Sequence, residues 1–242
     1  MEKITISNSQ VGTWIRCARQ WEFRYIKGLK IPPSGAMHQG SSYHNALKAN
    51  FQHKIDTKED LRISDVLDAY DTYWSKQEEE VNWEGAKPGD LKDEGIRLVS
   101  LYHKNMAPNI VPEKVEDYAE KQIGEDIKFI GYIDLETSDR LIDHKLRGRS
   151  MTQNDADSDT QPLSYCFLKD KYRFDYHVAI KKKMPEIQLL QVNKTIADIE
   201  WYVKMVEQIV GQIRSGYAPP NPVGWHCNPK FCGYFSLCKE MK

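Results

Sequence analysis

Two aspartates and a lysine are the residues of this chain whose types and spacing are best suited to chemistry. Asp134 ends one apolar segment, and Asp143 and Lys145 lie in the next, after a tight turn. Side chains alternate along a strand, so Asp143 and Lys145 share a face, and a hairpin would bring Asp134 near them. Two carboxylates can hold a hard divalent cation, Mg²⁺ or Mn²⁺. A lysine beside them can stabilise a hydroxide or the charge on a scissile phosphate. The alternative is an ordinary hairpin whose acids only form the turn.

Five cysteines form a second pattern. Cys17 lies near the start of the chain, Cys166 lies far from the others, and Cys227, Cys232 and Cys238 form a C-x4-C-x5-C segment. The N-terminus has no apolar signal core, so we expect a cytoplasmic, reducing compartment in which disulfides are rare. Clustered thiols in such a compartment favour a metal. Structural zinc usually has closer cysteine pairs, and a fourth ligand must come from elsewhere, with Cys17 as the candidate. Zinc and plain reduced cysteines are the alternatives.

Four short motifs follow one another along the chain. They are Gly40-Ser-Ser-Tyr-His44, Gly131-Tyr-Ile-Asp134, Asp143-His-Lys145 and Gln161-Pro-Leu-Ser-Tyr165. In this order they resemble the PD-(D/E)XK nucleases, and in particular the RecB-like branch, which includes phage exonucleases and the CRISPR adaptation nuclease. The resemblance extends from near residue 8 to residue 238. Two residues depart from it: Leu146 where threonine more often follows the lysine, and His144 where a larger apolar residue is usual.

The resemblance implies a metal site. Asp134 and Asp143 would bind Mg²⁺ or Mn²⁺, and His44 would be a further ligand. Without the resemblance, His44 is better explained as an ordinary histidine of a helix surface or core. An acidic residue on the preceding strand often completes such a site. Glu120 is our first candidate for that ligand and Glu116 is the second.

The resemblance also implies catalytic residues and a second cofactor. Lys145 would be the catalytic lysine. Gln161 and Tyr165, which are four residues apart and therefore on one helix face, would line the site and contact DNA or the attacking group. Members of this branch with one N-terminal and three C-terminal cysteines carry a [4Fe–4S] cluster, and this chain resembles them, although many have C-x2-C in place of C-x4-C. The expected cluster ligands are Cys17, Cys227, Cys232 and Cys238.

The spacing of apolar residues predicts the elements that would position these motifs. A period of three to four residues predicts helices over residues 8–27, 38–53, 91–106, 161–171 and 196–213, with another from residue 64. Alternation and turn residues predict strands over residues 114–123, 127–134, 141–145, 176–180 and 187–192. The Asp-rich residues 147–160 are predicted to form a mobile loop.

We predict one domain over residues 1–242, because no linker divides the chain. Its fold class is α/β, with a mixed central sheet flanked by helices and a helical N-terminal part. The resemblance makes this a fold of restriction-endonuclease type. A helical insertion is expected at about 55–110 and a cysteine-rich tail at about 217–242.

The charge of the chain is balanced overall but uneven along it. The 242 residues include 34 Lys and Arg and 35 Asp and Glu, which gives a net charge of −1. Residues 56–94 hold 13 acidic and 5 basic residues, whereas 16–30 hold 5 basic and 1 acidic. Binding to nucleic acid would therefore need local basic surfaces. The candidates are Arg16, Arg19, Arg24 and Lys27 of the first predicted helix, Arg147 and Arg149, and the lysines at 181–183. No stretch approaches the ~18 apolar residues of a membrane span, so no membrane partner is expected.

Three hypotheses about function follow. The first is a metal-dependent exonuclease acting on the ends of single-stranded or duplex DNA, in phage or bacterial recombination or repair. A recombinase or a single-strand-binding protein is a candidate partner. The second is a structure-specific endonuclease that uses the same site. The third is a non-catalytic DNA-binding module shaped by the iron–sulfur or zinc site. The intact Asp134, Asp143 and Lys145 argue against the third, because a site without chemistry has no reason to keep all of them.

Overall fold

A computed structural model of the protein describes residues 3–240. The strands are β1 (Ile4–Ser7), β2 (Lys114–Ile123), β3 (Ile127–Glu136), β4 (Leu141–Arg147), β5 (Arg173–Ile180) and β6 (Glu186–Asn193). The helices are α1 (Asn8–Arg16), α2 (Ala18–Trp21), α3 (Gly35–Thr57), α4 (Ile63–Gln77), α5 (Pro88–Asn105), α6 (Gln153–Ser158), α7 (Thr160–Lys169), α8 (Ile196–Arg214) and α9 (Phe235–Glu240). A π-helical turn, Glu22–Ile26, continues α2. No described helix is long and apolar enough to cross a membrane.

The strands form one mixed sheet of six, in the order β1-β3-β4-β5-β6 with β2 paired to β3. β1 is parallel to β3 and β4 to β5, whereas β3–β4 and β5–β6 are antiparallel. Backbone pairing between β3 and β4 starts at the turn and extends only to Leu135 and Ile142. Asp134 and Asp143 are the next residues away from the turn, so they lie where the two strands stop pairing. The predicted α/β fold with a mixed central sheet flanked by helices is confirmed.

The chain divides into two compact units. The first contains the N-terminal residues up to Ile31, then Glu120–Gly131, and the C-terminal residues from Ile196 onward. The second contains Pro32–Ala119 and Tyr132–Thr195. Strands β2 and β3 contribute residues to both. The single domain over residues 1–242 stays a prediction.

In the second unit, helices α3, α4 and α5 enclose an aromatic core. Tyr43 of α3, Tyr70 of α4 and Tyr102 of α5 are completely buried in it. Gly95 of α5 lets that helix approach α4 closely, because a Cβ at this position would collide with the Tyr70 side chain. Burial of this size supplies most of the free energy that holds such helices together. It fixes α3, which carries His44.

In the first unit, the predicted helix over residues 8–27 is interrupted, so the expectation of one continuous helix was wrong. Cys17 has an extended backbone, with φ −166° and ψ 109°, between α1 and α2. Trp14 and Trp21 are buried on either side of the break, with ring centroids 5.2 Å apart. The helical spacing of apolar residues therefore continues across the break, so the sequence pattern does not reveal it. Asn221 stabilises the break, because its side-chain amide donates to the Arg16 carbonyl at 3.0 Å.

Two further elements were missed from the sequence. Residues 147–160 are not all loop, since α6 forms there behind a capping box in which Thr152 and Asp155 exchange hydrogen bonds. The Thr-x-x-Asp spacing was the available signal. Strand β1 was also missed, and it gains its structure from pairing with β3, which local sequence does not encode.

Candidate active site

Asp134 accepts hydrogen bonds from three directions. The backbone N–H of His144 donates to Oδ2 at 2.9 Å, in place of a further backbone pairing between β3 and β4. Nδ1 of His44, on α3, lies 3.2 Å from the same oxygen. The Tyr165 hydroxyl lies 3.5 Å from Oδ1, at the limit of a hydrogen bond. Burial alone would raise the pKa of Asp134, but the hydrogen bond and charge of His44 outweigh it and hold that pKa below its usual range.

Asp143 and Lys145 form an ion pair on one face of β4, in which the aspartate is buried and the lysine is half-buried. Asp143 is 1% exposed, and Lys145 Nζ lies 2.8 Å from its Oδ2 without the alignment of a hydrogen bond. Burial raises the pKa of Asp143, and the charge of Asp134 adds to the rise despite the opposing charge of Lys145. One aspartate of the pair is thus easily ionised and the other is not, which is the usual result when two carboxylates share a buried site.

Gln161 and Tyr165 connect the two aspartates. Gln161 donates from Nε2 to Oδ1 of Asp143 and to the Tyr165 hydroxyl at 3.1 Å, and its Oε1 accepts from Lys145 Nζ at 2.6 Å. The N-cap of α7 places Gln161 at the start of the helix, because Asp159 accepts from the Gln161 backbone N–H at 3.0 Å. The structure therefore joins Lys145, Asp134, Asp143, Gln161, Tyr165 and His44 in one network.

The two acidic candidates on β2 lie in different surroundings. Glu120 belongs to the other compact unit, where it forms an ion pair with Lys128 at 2.6 Å. Glu116 is electrostatically coupled to Asp134 and His44, and burial followed by the Asp134 charge raises its pKa. Glu116 also has φ +48°, in the left-handed region that a side chain rarely adopts within a strand. Such strain concentrates at functional sites.

Sequence reasoning gave no role to His144, although its departure from the usual apolar residue was visible. Strand alternation directs it away from Asp143 and Lys145, and it is 3% exposed. Its Nε2 lies 2.8 Å from the Tyr102 hydroxyl, which in turn lies 2.7 Å from His177 Nδ1. Burial lowers the pKa of His144 well below its usual range, which favours a neutral imidazole.

These residues fit a divalent cation. Oδ2 of Asp143 is buried without an aligned hydrogen bond, so it retains acceptor capacity. His44, Asp134 and His144 each offer a ligand atom, and the three atoms lie within 4.8 Å of one another. Buried carboxylate and imidazole groups of this kind are ordinary ligands of divalent metals.

The four cysteines of the expected cluster lie together in the first unit. They line one pocket with Phe23, His226 and other residues. Burial raises the pKa of the Cys232 thiol, and the charges of the other three cysteines raise it further. Cys166 lies instead in the second unit, buried in α7.

Comparison with known proteins agrees with this fold. The family model of the PD-(D/E)XK nuclease superfamily matches residues 5–239. A crystal structure from Eubacterium rectale, described as a "Putative exonuclease", has a TM-score of 0.64 and 13% identity, covering 92% of this chain and 86% of that one. A structure of a protein named SSO0001 has a TM-score of 0.48 and 14% identity, covering 98% and 87%. No curated protein matches the sequence.

The chain belongs to the PD-(D/E)XK nuclease superfamily. The family match covers nearly the whole sequence, and the Eubacterium rectale structure has the same fold. The predicted restriction-endonuclease type of fold is thereby confirmed. Superfamily members are nucleases that use divalent metal ions, so a nuclease acting on DNA with such an ion is the activity that the family supports.

Proposed function

We propose that the protein is a metal-dependent exonuclease that hydrolyses phosphodiester bonds at DNA ends, in recombination or repair. The observation that carries this proposal is the partly buried network in which Gln161 joins Asp143, Lys145 and Tyr165. The description of the Eubacterium rectale protein is a reason to examine DNA ends first. Its 13% identity supports the fold alone.

The proposed roles follow from the contacts of each side chain. His44, Asp134 and Asp143 would hold the divalent ion, which when bound polarises the scissile phosphate and activates the attacking water. Lys145 is held by Asp143 and Gln161, so its ammonium is positioned to stabilise negative charge as it develops. Gln161 and Tyr165 orient the aspartates and can contact the substrate or the attacking water.

For the acidic residue on β2 we propose Glu116 rather than Glu120. Its coupling to Asp134 and His44 and its left-handed backbone support this choice. Glu120 is paired with Lys128 in the other unit.

For Cys17, Cys227, Cys232 and Cys238 we propose a [4Fe–4S] cluster rather than zinc. Four sulfur ligands of one tetrahedral zinc ion, each about 2.3 Å from the metal, lie about 3.8 Å apart. Among the described residues, no three of these sulfur atoms lie within 4.8 Å of one another. A cluster that separates its thiolates more widely fits this spacing better.

The decisive experiment is a cleavage assay with Mg²⁺ or Mn²⁺ on end-labelled linear DNA and on a closed circle of the same sequence. We expect the linear DNA to be degraded and the circle to remain intact. Lys145→Ala should reduce the rate by roughly 10²–10³-fold or more while folding and DNA binding persist. Lys104→Ala, an exposed lysine of α5, is the matched control and should cleave like the wild type.

The other possible results of this cleavage assay would support the endonuclease or the DNA-binding module instead. Cleavage of the circle would make the protein an endonuclease acting through the same site. Binding without cleavage of either substrate would favour the non-catalytic DNA-binding module. A Lys145→Ala variant that cuts at the wild-type rate would refute the role of this lysine.

A further inference from the structure

One phenol lies between two buried histidines next to the proposed metal site. The Tyr102 hydroxyl is 2.8 Å from His144 Nε2 and 2.7 Å from His177 Nδ1. A phenol has a single proton, so with neutral imidazoles it can donate to only one of these nitrogens and must accept from the other. Tyr102 therefore constrains which nitrogen of each ring carries the proton.

A cation bound beside Asp134 would select between the two arrangements. His144 Nδ1 lies 3.8 Å from Asp134 Oδ2, too far for a hydrogen bond. A proton on Nδ1 would thus have no partner there. If Nε2–H of His144 donates to Tyr102 instead, the phenol proton goes to His177 Nδ1, and a cation can then bind Nδ1 of His144. Nδ1 of His144 then has a free lone pair on the side of Asp134.

A cation position follows from this arrangement. His44 Nδ1 lies 3.2 Å from Asp134 Oδ2, and His144 Nδ1 lies 3.8 Å from the same oxygen. Neighbouring ligands of one ion, with bonds of about 2.1–2.3 Å, are separated by roughly 3.0–3.8 Å. The second oxygen of Asp134 remains on the side of Tyr165.

We propose that the His144 side chain is a metal ligand, forming with His44 and Asp134 Oδ2 a nitrogen-rich site that selects a divalent first-row transition metal over Mg²⁺. Tyr102 is the positioning residue that holds the imidazole of His144, as the outer hydrogen bond of a metal-binding histidine commonly does. Mg²⁺ prefers oxygen ligands, whereas imidazole suits the transition metals. This inference rests on the proposed function, since it concerns the metal of the same site.

The test measures Mn²⁺ binding to the full-length protein by the EPR signal of free Mn²⁺, with Mg²⁺ as competitor. The wild type should bind Mn²⁺ more tightly than Mg²⁺. His144→Phe should weaken Mn²⁺ binding by about 10–100-fold and Mg²⁺ binding much less. His103→Phe is the matched control, because it removes a histidine that bonds to the Leu61 carbonyl, outside this hydrogen-bond network, and is no proposed ligand. It should keep the wild-type preference. Unchanged Mn²⁺ binding in His144→Phe would overturn the proposal.

A second measurement needs no variant. Pulsed EPR of bound Mn²⁺, with histidine labelled with ¹⁵N, should show two coordinated imidazole nitrogens in the wild type. One nitrogen would overturn the proposal, whatever the variants do. Cleavage by the same wild-type sample separates the two claims. One nitrogen with DNA cleavage refutes only the His144 ligand, whereas two nitrogens without cleavage refute the nuclease and keep the metal site.

Discussion

At the scale of the residue, the candidate active site gives two neighbouring aspartates opposite pKa shifts. Asp134 receives a hydrogen bond from the backbone of His144 and an ion pair from His44, so its ionised form is stabilised. Asp143 is more deeply buried, and Lys145 compensates only part of the cost of its charge. A site of this kind stores unfavourable electrostatic energy that a divalent cation relieves. Metal affinity and instability without metal therefore have the same origin.

The raised pKa of buried Asp143 predicts how the Asp143→Asn substitution changes the pH dependence of stability in the metal-free protein. Folding raises the pKa of Asp143, so the carboxyl favours folding while it is protonated and loses that contribution as pH rises through its folded-state pKa. Asparagine does not titrate. The Tm of Asp143→Asn relative to the wild type should therefore increase between about pH 5 and about pH 8, measured by thermal unfolding with a chelator present.

Asp139→Asn is the control with the opposite sign. Hydrogen bonds from Arg140 hold the pKa of Asp139 below its usual range, so its carboxylate contributes stability at neutral pH that is lost only in acid. This variant should be less stable than the wild type at both pH values. If the Tm difference between Asp143→Asn and the wild type is the same at about pH 5 and about pH 8, burial does not raise the pKa of Asp143.

At the scale of the element, one proposed cluster ligand lies where a helix is interrupted. Cys17 is extended between α1 and α2, and the backbone N–H of Asn221 lies 3.4 Å from its sulfur. The C-terminal segment then brings three cysteines to the same pocket. Four thiolates on one cluster would crosslink α1 and α2 to the segment that ends in α9, which constrains the unfolded chain as any crosslink does.

We predict that alanine at any one of the four cysteines causes loss of the cluster. After anaerobic reconstitution, each variant should contain less iron and lose the visible absorbance that iron–sulfur clusters have. Cys166→Ala is the matched control, since this cysteine is buried in α7 of the other unit, and it should keep the iron of the wild type. Stoichiometric zinc with no iron in the wild type would contradict the cluster.

What the sequence predicts about these elements depends on whether the signal is local. The Gln161–Tyr165 spacing and the alternation around Asp143 are local, and the structure brings these side chains together. The break at Cys17 is not local, because Asn221, more than two hundred residues away, satisfies the Arg16 carbonyl. The left-handed backbone of Glu116 likewise has no sequence signal, since its strand reads as regular.

At the scale of the whole molecule, a net charge of −1 gives no general attraction to DNA. The acidic residues are concentrated in the segment that contains α4, whereas basic residues flank Lys145 in the chain. Arg147 and Arg149 lie two and four residues after Lys145, and Arg149 is exposed. DNA binding should therefore depend on a few phosphate contacts near the proposed active site, and it should weaken with salt in proportion to their number.

Arg149→Gln tests whether one of those contacts lies beside the active site. It should weaken binding about equally for DNA of different sequences, and it should reduce the slope of log K against log salt concentration by about 1, which is the counterion release of one phosphate contact. Fluorescence anisotropy with labelled DNA over a range of salt concentrations measures both quantities. Arg62→Gln is the matched control, because Arg62 is exposed but paired with Asp65 at the start of α4. It should leave the slope unchanged, since removing a positive charge changes counterion release only where that charge meets a phosphate. Equal slopes for all three proteins would show that DNA approaches the active site without contacting Arg149.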